Sequence, residues 1–162
     1  MKTAIYPGTF DPITYGHIDV IKKSLNIFDR VIVATTDNVN KNYYFSIDER
    51  LNIINNSLFK DLKLNKNKIK VVSFNNLTIE LCKKYKATAI IRGLRAVSDF
   101  EYEFQLAGMN KKLNSTIETM FLMSDVENQI ISSKFVKEIS KLDGKISNFV
   151  TKSTVKMLKN KF

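Results

Sequence analysis

Five short apolar runs recur along the chain, at residues 3–6, 31–35, 69–74, 89–91 and 119–123. Each is bounded by polar or turn residues and several are β-branched, which predicts buried strands. Between them the apolar period lengthens. Ile18, Ile21, Leu25 and Phe28 predict a helix over 14–26. Ile47, Leu51, Ile54 and Leu58 predict a second, opened by the capping box Ser46-Ile47-Asp48-Glu49. A third helix is expected over 78–85. A fourth opens at the capping box Ser98-Asp99-Phe100-Glu101 and runs to 113. A fifth, entered at Ile131-Ser132-Ser133-Lys134, carries Phe135, Val136, Ile139 and Leu142 on its apolar face and is closed by Gly144. A last one covers 150–158. Strands apolar throughout and joined by helices predict an α/β protein, its parallel sheet covered on both faces by right-handed crossovers. The ligand of such a sheet lies outside the strands' carboxyl ends, at the switch point. No repeat or linker interrupts the 162 residues, so one domain, 1–162, is expected.

The rare residues sharpen this picture. The chain has 5 Gly, 2 Pro and 1 His. Pro7, Pro12, His17, Gly8 and Gly16 all fall in the stretch between the first strand and the first helix. Gly and Pro redirect backbone, so the stretch is read as a bent strand-to-helix turn delivering Thr14 and His17 to a helix entrance. Helix N-termini attract phosphate, and Gly16 lets backbone approach a ligand closely. The plainer alternative is a surface histidine beside a cap.

A net charge of +10 fits an anionic partner, but the lysines are spread along the chain without interleaved aromatics, which equally fits a compositional bias on solvated faces. The basic nucleic-acid-binding class, which predicts clustered cations with stacking aromatics, finds no such cluster here. One cysteine, Cys82, allows no internal disulfide and suits a reducing, cytoplasmic setting. One His and one Cys exclude an ordinary His/Cys zinc site. No apolar run approaches the roughly 18 residues of a membrane span, and residues 1–3 lead into a strand rather than a signal sequence. P-loop, Gly-x-Gly-x-x-Gly and Gly-x-Ser-x-Gly patterns are missing, against P-loop, dinucleotide and nucleophile-elbow chemistry.

Three stretches follow strand ends: 8–17, 92–95 and 131–134. Arg92 and Arg95 around Gly93 suit phosphate binding, because a guanidinium fork matches phosphate oxygens. Ser132 and Ser133 at a helix start can cap it or bond a phosphate. Taken singly, each also fits a solvated loop or a plain cap, and Lys41 after the second strand is one lysine among many. Their joint placement is what points to one crevice.

These stretches are also motifs. Tyr6-Pro7-Gly8-Thr9-Phe10-Asp11-Pro12-Ile13-Thr14, with Gly16-His17, and Ile131-Ser132-Ser133, with Val136-Lys137-Glu138, resemble the nucleotidyltransferase superfamily. Arg92-Gly93-Leu94-Arg95-Ala96-Val97, with Asp99-Phe100-Glu101-Tyr102-Glu103, is more specific, and with it the chain closely resembles the bacterial phosphopantetheine adenylyltransferase family over nearly its whole length. The resemblance implies a Rossmann-like, doubly wound five-stranded parallel sheet with helices on both faces. It implies transfer of the AMP part of ATP to 4'-phosphopantetheine with Mg2+, giving dephospho-CoA and pyrophosphate by direct in-line attack.

By motif match, His17 would stabilise charge on the α-phosphoryl group. Thr9, Lys41, Thr78 and Arg92 would bind the acceptor. Thr9, Phe10, His17, Gly93, Leu94, Arg95 and Glu103 would contact ATP, as would Asn128, Gln129, Ile130, Ile131, Ser132, Ser133 and Lys134. The family's homohexamer and its restraint by CoA are further expectations, and neither a nucleic-acid nor a membrane partner is implied. The chain departs from the family pattern at Tyr15 (usually Asn), Tyr43 (Pro), Thr78 (apolar), Asn128 (aromatic) and Lys134 (Ser). A related enzyme using glycerol phosphate or nicotinamide mononucleotide is the near alternative, and the run 92–103 argues against it. A site of one His, two Arg, one Lys and helix N-termini fits a reaction that needs positioning and charge stabilisation more than a protein nucleophile.

Overall fold

A computed structural model describes residues 1–95 and 97–161, the side chains of Val97 and Ser98 apart. Five parallel strands, β1 (Thr3–Gly8), β2 (Arg30–Thr36), β3 (Ile69–Phe74), β4 (Ala89–Gly93) and β5 (Glu118–Leu122), form one sheet in the order β3-β2-β1-β4-β5. The order reverses between β1 and β4, so the crevice expected of a doubly wound sheet opens above their carboxyl ends. Among the described residues there are six α-helices: α1 (Tyr15–Leu25), α2 (Ile47–Asn55), α3 (Thr78–Tyr85), α4 (Val97–Leu113), α5 (Ser133–Lys141) and α6 (Lys152–Lys161).

The strand side chains alternate between two cores, as the two-residue pleat requires. Ala4, Tyr6, Val31, Val33, Ala89 and Ile91 face one side, packed with Ile18 and Ile21 of α1, Ile53 and Ile54 of α2, and Val136 of α5. Ile5, Ile32, Ala34 and Ile90 face the other, with Ile79, Leu81 and Cys82 of α3.

Three helices differ from the pattern-based expectation. On α2 the buried stripe is Arg50, Ile53 and Ile54, while Ile47 and Leu51 are only half-buried. The helix then continues as a π-helical segment, Asn56–Asp61, that buries Ser57 and Leu58. The Ser57 hydroxyl lies 2.7 Å from Thr151 Oγ1 and 3.2 Å from Thr154 Oγ1, so a buried trio of hydroxyls shares hydrogen bonds between this segment and α6. On α5 only Val136 of the expected apolar set is buried, whereas Phe135 and Leu142 are exposed. The left-handed residue after α5 is Asp143 (φ 57°), not Gly144. Gly144 is needed for space, because a Cβ there would sit 2.4 Å from Ile139 Cγ2. The cap expected of Ser98 lies outside the described side chains, and α4 already begins at Val97. The Ser46–Glu49 capping box forms as expected, with reciprocal bonds of 3.2 and 2.8 Å.

Candidate active site

The β1–α1 turn is the base of the site. It contains a cis Asp11–Pro12 bond, and Phe10 takes a left-handed φ of 47°, uncommon for a side chain of that size. The Phe10 ring folds back over Gly8, where a Cβ would lie 2.9 Å from it, and meets Tyr6 and His17 edge-on at 5.3 and 5.0 Å. Glycine at position 8 is therefore what admits the ring. The Asp11 carboxylate, buried, accepts hydrogen bonds from the Tyr44 and Phe45 amides at 2.7 and 2.9 Å, tying the turn to the chain that enters α2.

His17 sits at the third position of α1 and completes a capping arrangement. Its Nδ1 accepts from the Thr14 backbone N–H at 3.0 Å and lies 3.1 Å from Thr14 Oγ1. A ring nitrogen that accepts from an amide carries no proton, so the neutral tautomer holds its hydrogen on Nε2. Burial, and then the nearby Arg95 charge, push the imidazole down to about 4, so the ring is neutral at ordinary pH and Nε2–H is left as a donor.

Two further loops close around this turn. Arg92, at the end of β4, donates from Nε and Nη2 to both carboxylate oxygens of Glu103 on α4, each at 2.7 Å, and from Nη1 to the Pro7 carbonyl at 3.3 Å. Burial alone would lower the Arg92 pKa, and the bonds and charge of Glu103 outweigh it, so the net direction is upward. Arg95 pairs with Asp99 at 3.3 Å and donates to the Ile131 carbonyl at 3.2 Å, while the Ser133 hydroxyl donates to the Pro12 carbonyl at 2.7 Å. Chain segments more than a hundred residues apart thus meet on one cleft of about 530 Å³. Tyr6, also on its wall, has its phenol pushed up by burial.

Of the residues expected from sequence, Thr9, Phe10, His17, Lys41, Arg92, Gly93, Leu94, Arg95, Glu103, Ile131 and Ser133 line this cleft. The others are not among the residues that line it. Thr78 is the first residue of α3. The Asn128 amide donates to Asp19 of α1 at 2.6 Å, and that of Gln129 to the Ser124 carbonyl at 3.1 Å. Ile130 and Lys134 are exposed, and Ser132 caps α5 by accepting from the Phe135 amide at 3.1 Å. Asn128, in place of the family's aromatic, therefore acts as a clasp between α1 and the loop before α5.

The cleft also holds residues to which sequence reasoning gave no role: Asp11, Tyr43, Asp99, Ser124 and Lys137. Lys137 lies four residues beyond Ser133, one helical turn along the same face, and its ammonium is 3.6 Å from Asp11; that spacing was the available signal. Tyr43, in place of a proline, organises the Lys41 loop: its hydroxyl accepts from the Asn38 amide at 2.9 Å. Lys41, Arg92, Arg95 and Lys137 give the cleft four cations against Asp11, Asp99 and Glu103, with the α1 N-terminus adding partial positive charge. Cys82 is buried on the sheet's other side with its thiol pushed up to about 11, so it supplies no thiolate here. Among the described residues no three His, Cys, Asp or Glu cluster as metal ligands, and no helix is long and apolar enough to cross a membrane.

Residues 5–139 match the cytidylyltransferase-like family. Over 161 residues the chain is 67% identical to a phosphopantetheine adenylyltransferase of Pelagibacter ubique, covering 99% of this chain and 98% of the relative. It is 47% identical to the enzyme of the same name from Geotalea daltonii, over 100% of this chain and 98% of the relative. Among solved structures, a Vibrio parahaemolyticus protein assigned as a nicotinate-nucleotide adenylyltransferase superposes with a TM-score of 0.73 at 19% identity, covering 99% of this chain and 100% of that one, which is a likeness of fold.

Proposed function

This chain belongs to the phosphopantetheine adenylyltransferase family, and from that premise we propose that it transfers AMP from ATP to 4'-phosphopantetheine, a step of coenzyme A synthesis. An oxygen of the pantetheine phosphate attacks the α-phosphorus; the new P–O bond forms as the bond to the bridging oxygen breaks, and pyrophosphate leaves with that electron pair. The attacking phosphate is already anionic, so no protein base is needed. The protein's contribution is to hold two polyanions in line and to stabilise charge on the α-phosphoryl oxygens.

The observation that carries this reading is the convergence of 8–17, 92–95 and 131–133 on one cationic cleft around a neutral histidine. In it the Nε2–H of His17 and the α1 N-terminus act on the α-phosphoryl group. Lys41, Thr9 and Arg92 hold the acceptor phosphate, Arg92 being aimed by Glu103. Arg95 and Ser133 hold the nucleotide's phosphates. Mg2+ bound with ATP would supply neutralising charge to the phosphates, and because such an ion needs no dedicated protein cage, it fits a cleft whose three carboxylates are already engaged by Lys137, Arg95 and Arg92. CoA, which carries the product's nucleotide end, competes for the same cleft, and the buried free thiol fits the reducing cytoplasm.

A homo-oligomer belongs to the same proposal. On α4, Phe100, Tyr102, Phe104, Met109 and Leu113 are each between 45% and 64% exposed. A helix with this much apolar surface is at home against another subunit. Sedimentation is expected to give a hexamer that Phe104→Glu with Met109→Glu converts to smaller species; an unchanged size would remove α4 from the interface.

The activity test is release of pyrophosphate from ATP and Mg2+. Release that requires 4'-phosphopantetheine is expected. Release supported instead by glycerol phosphate or nicotinamide mononucleotide would assign the fold to a different acceptor.

A further inference from the structure

Among the described residues, the fully buried side chain of largest volume is not hydrophobic. Arg50 of α2 is 0% exposed and stands on the apolar stripe where a leucine would be expected. Replacing a buried ion by a packed apolar side chain is often neutral or stabilising, so stability alone gives a weak account of it.

Its bonds reach three separate segments. Nη1 donates to the Thr9 carbonyl at 3.0 Å, the Thr35 hydroxyl at 3.0 Å and the Thr36 carbonyl at 2.7 Å. Nε donates to the Phe45 carbonyl at 3.2 Å. The guanidinium carbon lies 3.9 Å from the centre of the Tyr43 ring. The Thr35 hydroxyl, which accepts from Arg50, itself donates to the Thr9 carbonyl at 2.9 Å, closing the network. Among the described residues Nη2 has no hydrogen-bond partner, and the nearest carboxylate oxygen, Asp37 Oδ1, stands 3.9 Å away.

These contacts share one property. Thr36 and Asp37 begin the loop that carries Lys41, and Tyr43 and Phe45 end it, while Thr9 lies on the β1–α1 turn beside it. One guanidinium therefore grips both ends of the Lys41 loop and the adjoining β1–α1 turn. Lysine cannot reproduce this, because a single ammonium lacks the planar fork that aims donors in several directions and stacks on a ring. We infer that Arg50 is a positioning residue for acceptor binding, holding Lys41 and Thr9 at the spacing the acceptor phosphate needs. This rests on the acceptor role proposed above for those two residues. Arg95 and Ser133, on the nucleotide side, share no bond with Arg50, so of the two substrates the acceptor is the one affected more.

The test compares Arg50→Lys and Arg50→Met with the wild type in two readouts. In kinetics, both variants are expected to raise KM for 4'-phosphopantetheine at least about tenfold, the scale of losing one charge-assisted hydrogen bond, with KM for ATP within about twofold. In hydrogen exchange on the unliganded protein, peptides over 37–45 are expected to exchange faster in both variants, with those over 78–85 unchanged. Arg50→Lys retains the charge and serves if Arg50→Met does not fold. An acceptor KM left at the wild-type value, equal rises in both KM values, or unchanged exchange over 37–45 would each overturn the inference. A wild type without acceptor-dependent turnover would instead remove the proposed function, and the exchange comparison would still decide whether Arg50 organises the loop.

Discussion

The proposed function gives His17 two separable tasks, one for each ring nitrogen. Nδ1 accepts from the Thr14 amide and closes the first turn of α1, while Nε2–H is the donor left for the cleft. His17→Asn places an amide oxygen near Nδ1 and nothing near Nε2. His17→Gln places an amide nitrogen near Nε2 and gives up the short-range acceptor. Removing one preorganised donor to a transition-state oxyanion costs about a hundred- to a thousandfold in kcat. Losing a helix cap costs about 1 kcal/mol, which for a chain of this size lowers Tm by roughly 2–4 °C. His17→Asn is therefore expected to melt close to the wild type while turning over at least about a hundredfold more slowly. His17→Gln is expected to melt lower and to retain more activity than His17→Asn. Saturating pyrophosphate-release assays and thermal melts on the same preparations read both quantities. Equal activity in the two variants, or His17→Asn within about threefold of the wild type, would refute the assignment of donor and cap to opposite sides of one ring.

The same ring predicts a pH dependence. Its pKa is depressed from the ordinary 6.5 to about 4 by burial first and Arg95 second. Between these values the unfolded chain binds a proton that the folded one refuses, so this contribution to stability is complete above pH 6.5 and is lost as pH falls toward 4. The loss amounts to at most roughly 3 kcal/mol. Melts of the wild type against His17→Asn over this window are expected to differ in slope, and the wild-type kcat is expected to show no imidazole inflection between pH 5 and 8. Glu103→Gln leaves Arg92 without its carboxylate in a largely buried pair; a loss of roughly 3 kcal/mol is expected in urea unfolding, with a higher acceptor KM. Gly144→Ala drives a methyl to 2.4 Å from Ile139 Cγ2 and 3.0 Å from its carbonyl, for an expected loss of about 1–3 kcal/mol without change in KM, measurable by the same unfolding.

The sequence by itself determined the strands, the parallel order of α and β, and the three stretches that form the cleft. Apolar runs mark strands, and rare Gly, Pro and His mark a forced turn, because those signals are local and each residue carries its own. β3 and α3 fall at the residues their periodicity predicts, and the Ser46 capping box forms in full. Tertiary structure alone decided what several side chains do. Arg50 belongs to none of the sequence motifs, yet its neighbours at Thr9, Thr35 and Thr36 bury it and use its donors. Asn128 stands in a motif position and is spent on Asp19, a partner 109 residues away. Phe135 reads as core and lies exposed, because α5 turns its face to the sheet through Val136. The physical reason is common to all three. A residue's identity states which bonds it can make, whereas burial and the partners in reach, set by segments distant in the chain, select the ones it does make.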